Sequence, residues 1–285
     1  MSAHPRVLAV IVLYRMQAEA SPAYRSLREA LNALAPELRF AVALYDNSPV
    51  EHAPPEDFPC VYRHDPTNPG LAKPYNRALQ LAKDKGAHWL LLLDQDTVVT
   101  PDYLEELTAA IEAVAGNAEV AAICPRLVDA GLVCSPIHPP TWGPPGAFPL
   151  EVTGIAPAAV QPFNSGALLR VDAVEAIGGF DTRFPLDYLD HATFAALQQR
   201  GGRIYLLRSA LEHHLSSNEG GRTDPAFVAR NLSMLDAEYR FYRIHGSATD
   251  RFLRRLRLLR AAAGRIVRRK EPGQTVRLLR AALRP

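Results

Sequence analysis

A chain of 285 residues, 48% hydrophobic and 22% charged, holds enough apolar material for one large core or two smaller ones, which excludes a disordered, collagen-like or coiled-coil protein. The net charge of +2 conceals a division: residues 251–285 carry 12 Arg and Lys against one Glu, leaving 20 basic and 29 acidic groups, or −9, in the first 250. The tail is thus an electrostatic object of its own.

Val7 to Tyr14, Phe40 to Asp46 and Trp89 to Asp94 are short continuous apolar runs, the pattern of strands buried on both faces. The first falls well short of the ~20 residues a membrane span requires and no cleavage pattern follows it, so a cytoplasmic protein without its own export signal is expected. Cys60, Cys124 and Cys134 form no C-x-x-C pair, which fits a reducing compartment and speaks against structural zinc. Helical patterns over Pro22 to Leu34, with Leu27, Leu31 and Leu34 on one stripe, and over Leu71 to Lys85 alternate with the strands. That order predicts a parallel sheet with right-handed crossovers. Pro101 after Thr100 reads as the start of a helix running to about Val114, and a strand is predicted over Val120 to Cys124.

From Gly131 to Gln161 prolines are frequent and periodicity is weak, which predicts an irregular loop or lid. Residues 163–170 resume a strand-like pattern. Short helices are predicted over Val171 to Ile177 and Leu189 to Gln199, each closed by a Gly-Gly pair, with a last strand over Arg203 to Leu207 and helices beyond Pro225.

Asp46 and Asp94 each end a predicted parallel strand, and open α/β sheets bind ligands beyond the carboxyl ends of their strands, so both acids are expected at one site. Asp96 follows two residues after Asp94. Two hard oxygen ligands leaving a buried strand together suit Mg²⁺ or Mn²⁺ carrying a diphosphate; the alternative is that they cap the helix after Thr97.

The order of the segments VLYR, YDNS, NPGLAKPYN and LLLDQDT resembles the nucleotide-sugar half of family 2 glycosyltransferases of the GT-A fold, over roughly residues 7–215. The resemblance implies a Rossmann-like, mixed but mostly parallel α/β sheet flanked by helices. It implies a transferase domain over 1–222 and a C-terminal helical extension over 223–285. By the same resemblance, Asp46 contacts the nucleotide base with Tyr14 beside it, and core packing is the alternative for Tyr14. Asn68, Gly70 and Asn76 line the donor site at a helix start with free N–H groups, a plain N-cap being the alternative for Asn68. Asp96 holds the ion while Asp94 approaches the donor sugar or ribose. Ser165 and Gly166 are small residues that leave room for substrate.

GGFDTRFPLDYLDHATF is similar to the family's G-G-F-D-E-x-F segment and the acidic stretch after it. Asp187, Tyr188, Leu189 and Asp190 match the D-Y-V-D of the rhamnosyltransferase branch, which makes Asp190 the catalytic base and Asp187 a substrate contact. Ala192 and Ala196 stand where that branch has a carboxylate and often an arginine. In the segment Glu212 to Ser216, His213 aligns with a family histidine that completes the metal or diphosphate site, and His214 is its neighbour.

These roles imply an inverting, metal-dependent transfer from a nucleoside-diphosphate sugar, with dTDP-rhamnose suggested by the branch, to a saccharide or lipid-linked acceptor of bacterial surface polysaccharide. Competing readings are a nucleotide-sugar-binding module without catalysis and a nucleic-acid-binding protein using the arginine tail. The acidic remainder and the lack of interleaved aromatics weigh against nucleic acid. In the tail, from Arg251 to Lys270, Phe252, Leu256, Leu259, Ala263 and Ile266 share one helical face, with Arg254, Arg257, Arg265 and Arg268 opposite. Such a helix either lies peripherally in an anionic membrane interface or packs by its apolar face on the rest of the protein.

Overall fold

The computed structural model describes residues 6–33, 39–139, 146–213, 225–267 and 272–284. The chain divides into two compact units, Met1–His138 with Ala147–His214, and Pro139–Gly146 with Leu215–Pro285.

The first unit is built on a mixed sheet. Strands β1 (Arg6–Leu13), β2 (Arg39–Asp46), β3 (Cys60–His64) and β4 (Trp89–Asp94) run parallel, joined by α1 (Pro22–Ala33) and α2 (Ala72–Asp84) where a crossover helix is present. After α3 (Pro101–Ala113) come β5 (Val120–Asp129), β6 (Leu132–Ser135), β7 (Gly154–Ile155) and β8 (Leu168–Arg170). The helices α4 (Val171–Ala176) and α5 (Leu189–Gln199) then lead into β9 (Arg203–Glu212). The order across the sheet is β3-β2-β1-β4-β8-β5-β9-β7, with β6 beside β5. Only β6, β7 and β8 oppose the common direction. The mostly parallel α/β sheet expected from sequence is the one found.

The apolar runs explain why β1 and β4 sit in the middle. Leu8, Ile11 and Leu13 on β1 and Leu90 to Leu93 on β4 are fully buried, each contributing about 1.5–3 kcal/mol by leaving water. Helices α1 and α3 cover one face through Tyr24, Leu27, Tyr103, Leu104 and Leu107. Thr100 accepts a hydrogen bond from Tyr103 N at 3.2 Å with Pro101 behind it, so α3 starts where its cap sequence says.

Several expectations are corrected. Tyr14 lies one residue beyond β1 and is 37% exposed, because the chain turns there with Arg15 at φ 53°. The segment 131–161 holds β6, β7 and bridges from Ile137 to Ala147 and to Gln161 rather than a wholly irregular loop. It is tethered by Arg126 of β5, a fully buried guanidinium that donates to the carbonyls of Phe148, Pro149 and Val152. β3 has no apolar run to announce it, and β5 and β9 extend five residues beyond the predicted strands.

The second unit contributes α6 (Pro225–Ile244), α7 (Ala248–Val267) and α8 (Pro272–Ala282). Here one of the two readings of the amphipathic helix, packing by its apolar face, is corrected. The residues α7 buries are Arg254, Leu258 and Ala262, whereas Phe252, Leu259 and Ile266 of the apolar face read from sequence are 59%, 38% and 60% exposed. Arg254 is buried because Glu238 on α6 receives its Nε at 3.0 Å and the carbonyls of Ala281 and Leu235 take its other nitrogens. No helix among the described residues is long and apolar enough to cross a membrane.

One backbone position sets the approach of two loops. Gly70 has φ +77°, and a Cβ there would stand 2.2 Å from the Pro185 carbonyl oxygen, which accepts the first amides of α2, Leu71 N at 2.6 Å and Ala72 N at 3.2 Å. Gly70→Ala is expected to destabilise the fold by about 2 kcal/mol or more through left-handed strain and loss of this contact. Urea denaturation measures it.

Candidate active site

The carboxyl ends of β2, β1 and β4 lie side by side, with Leu13 paired to Asp46 and Val12 to Asp94. Asp94 ends β4, and Gln95 and Asp96 form the turn after it. That turn is held in place: the Gln95 carbonyl accepts Ala23 N and Ser21 Oγ, and its side chain accepts Tyr14 N at 2.8 Å. Since α3 is capped by Thr100, Asp94 and Asp96 are not helix caps.

The chain returns to this turn from β9, whose exit is fixed by His213 N donating to Val128 O at 3.0 Å. Asp94, Asp96 and His213 each present a ligand atom, all within 4.8 Å of one another. His213 Nδ1 is buried and has no hydrogen-bond partner among the described residues. Two carboxylates and an imidazole at this separation fit a divalent cation. His214, Leu215 and Ser216 lie outside the described residues.

Asp190 stands in the first turn of α5, and its Oδ1 accepts His191 N at 2.7 Å. Withdrawal from water pushes the Asp94 carboxyl up to about 6; Asp96 and Asp190 add to the rise, while His213 and a hydrogen bond from Ser165 oppose it. The site therefore concentrates negative charge of its own.

Other predicted residues serve the scaffold. Ser165 is buried and its hydroxyl meets that of Thr97. Gly166, at φ +71°, is small because Leu211 and Pro125 fill the space a Cβ would take, at 2.7 and 2.9 Å, so its size serves packing. Asn76 is likewise corrected: its Nδ2 donates to Phe180 O at 2.7 Å and its Oδ1 accepts Phe180 N at 2.8 Å, clamping the turn after α4. The expected free amides at the start of α2 are partly occupied by Pro185, and Leu71, not Asn68, is the N-cap. Asn68 is exposed in the preceding turn, at φ 45°.

Asp46 also departs from its expected role. It is fully buried, Oδ1 accepts Ser48 N at 2.8 Å, and Oδ2 faces both Tyr62 OH and His52 Nδ1 at 2.8 Å. With both oxygens engaged inside the protein, the carboxylate anchors the 46–52 loop. Asp187 is buried just before Tyr188, which takes φ 63° to start α5. Ala192, at the family's carboxylate position, is 2% exposed and packed inside.

Sequence reasoning passed over Tyr75, Phe163 and His191. Tyr75 is fully buried with no hydrogen-bond partner for its hydroxyl among the described residues. Burial holds its phenol well above the ordinary range, and Asp94 and Asp190 raise it further. Its place on the buried stripe of α2 with Ala78, Leu79 and Ala82 was the available signal, and it reads as core. The Phe163 ring sits 6.1 Å from that of His191 and 6.4 Å from that of His213.

A Rossmann-like sheet with an acidic pair at a strand end, a histidine returning to it and a carboxylate at a helix start defines a GT-A-type transferase. The chain belongs to glycosyl transferase family 2, whose profile matches residues 10–177. It is structurally similar to S. aureus TarS 1-349, with a TM-score of 0.52 at 13% identity over 83% of this chain and 72% of that one. The complex of TarS 1-349 with UDP-GlcNAc gives a TM-score of 0.52 at 11% identity over 97% and 90%. Against the longer TarS structure the chain spans 43% of that protein's length. No curated protein sequence matches this one.

Asp46 yields a signed pH dependence. Burial alone would raise its carboxyl, but hydrogen bonds from Ser48, Tyr62 and His52 bring it down to about 2 from 3.8. The folded value is depressed, so the stabilisation is complete above about pH 4 and is lost as pH falls toward 2. Asp46→Asn is expected to remove about 2 kcal/mol of acid-dependent stability over that window, measured by denaturant titration at stepped pH.

Proposed function

We propose that this glycosyltransferase moves a sugar from a nucleoside-diphosphate donor to a hydroxyl of a saccharide or lipid-linked acceptor, with inversion at the anomeric carbon. The observation that carries the reading is the convergence of Asp94, Asp96 and His213 within 4.8 Å, with Asp190 close enough to shift Asp94 electrostatically.

Asp96 and His213, with Asp94 beside them, would hold Mg²⁺ or Mn²⁺, which when bound supplies Lewis-acid neutralisation of the departing diphosphate. Asp190 takes the proton of the acceptor hydroxyl as that oxygen bonds to the anomeric carbon and the carbon–diphosphate oxygen bond breaks. One displacement from the opposite face inverts the centre. Tyr75 lies close enough to feel the charge of both Asp94 and Asp190, and its buried hydroxyl has no partner among the described residues. Exposed Tyr14 and Asn68 flank the donor, while Gly70, Ser165 and Asp187 shape the loops around it.

The tetrapeptide Asp187-Tyr188-Leu189-Asp190 supports rhamnose as the sugar and bacterial surface polysaccharide as the product. The likeness to a protein solved with UDP-GlcNAc makes a UDP-sugar the comparison donor. Thermal shift with dTDP-rhamnose and UDP-GlcNAc, each with and without Mn²⁺, separates them. Stabilisation by neither donor refutes the transfer reading.

Asp190→Asn is expected to lower turnover roughly 10²–10⁴-fold with donor affinity nearly unchanged, because only proton removal in the transition state is lost. Asp96→Asn is expected to abolish Mn²⁺ binding by calorimetry, and His213→Ala to weaken it.

A further inference from the structure

We infer that the second unit is a docking surface for an anionic lipid bilayer, with α7 lying in the headgroup layer. The inference is independent of the donor assignment. Its first support is the reversed packing of α7. Because Arg254, Leu258 and Ala262 form the buried side, the line Phe252, Leu259 and Ile266, spaced seven residues apart, is left facing water. Leu256 is half-buried beside it, and Val267 is 83% exposed at its end. A helix that buries an arginine while a line of three large apolar residues faces outward is unfavourable in water alone, and immersion in an acyl boundary removes the cost.

The second support is charge. Residues 225–285 carry 15 Arg and Lys and 4 Asp and Glu, a net +11. Of the four acids, Glu238 is enclosed by Arg254 and Arg257, and Asp236 pairs with Arg284. Exposed Arg255 and Arg260 stand on either side of the apolar line. That combination matches the surface of a membrane containing acidic lipid, where each nearby basic residue contributes about 1 kcal/mol.

The third support is a cavity of about 520 Å³ lined by Tyr239, Tyr242, Arg243, Arg251, Phe252 and Arg255 among others. No carboxylate lines it among the described residues. The tyrosines supply hydroxyl donors and the arginines fork-shaped ones suited to a phosphodiester. Phe252 belongs both to the cavity wall and to the exposed line. A lipid whose phosphate entered the cavity would therefore lay its chains along Leu259 and Ile266.

The test is co-sedimentation of the full chain with vesicles of phosphatidylcholine alone or with about one third phosphatidylglycerol. Binding is expected to the acidic vesicles and not the neutral ones, and to weaken as salt rises. Phe252→Ser with Ile266→Ser, and separately Arg243→Gln with Arg251→Gln and Arg255→Gln, are each expected to reduce binding roughly tenfold or more, with unchanged circular dichroism at 25 °C. Should a variant fail to fold, wild-type binding competed by a soluble short-chain phosphatidylglycerol gives the same reading. The inference is overturned by equal partitioning onto both vesicle types or none. Stabilisation by inorganic phosphate without vesicle binding, a dimer in sedimentation velocity abolished by the Phe252 and Ile266 changes, or an oligonucleotide bound in preference to acidic vesicles overturns it equally.

Discussion

Carboxylates repel, and three of them, Asp94, Asp96 and Asp190, are gathered at one end of this sheet. What makes the gathering tolerable is that each is fixed by backbone already committed elsewhere. Asp94 ends a strand whose preceding four leucines are fully buried, Asp96 rides on a turn pinned by Gln95, and Asp190 sits in the first turn of α5. The remaining repulsion is expressed in the raised Asp94 carboxyl, and His213 is the nearest internal counterweight. A site that is negative before anything binds attracts a cation.

The loops around that centre are locked to one another by small contacts. Pro185 receives the first amides of α2 and leaves Gly70 no space for a side chain, while Asn76 of the same helix holds the Phe180 backbone through both ends of its amide. The segment that carries Asp187 and Asp190 is thereby attached to the segment that carries Asn68. Residues that looked like ligand contacts are in part the fasteners that keep ligand contacts in place, which is why Asn76, Gly166 and Asp46 face inward. Asp46 does the same for the 46–52 loop at the neighbouring strand end.

The second unit follows a different logic. Its interior is small, with Leu258, Ala281 and Ala282 at its centre, and a buried ion pair between Arg254 and Glu238 fixes which side of α7 turns inward. Such a pair adds little net stability but specifies orientation, since either partner buried alone would be costly. Orientation is what leaves the apolar line of α7 outside.

The amino-acid sequence by itself determined the central strands, their parallel order, the helices between them and the acidic pair at the end of β4. All of these follow from local pattern: continuous apolar runs, a Thr-Pro helix start and glycines at helix ends. Tertiary structure alone decided which polar residues point into the site. Asp46 and Asp94 look alike in sequence, each an acid closing an apolar strand. They differ because Tyr62 and His52, 16 and 6 residues away from Asp46, close over one carboxylate, whereas His213, arriving from β9, opens the other to a shared ligand position. The inward face of α7 was likewise hidden, because a helical wheel ranks residues by hydropathy and does not contain Glu238, the partner that draws Arg254 inside.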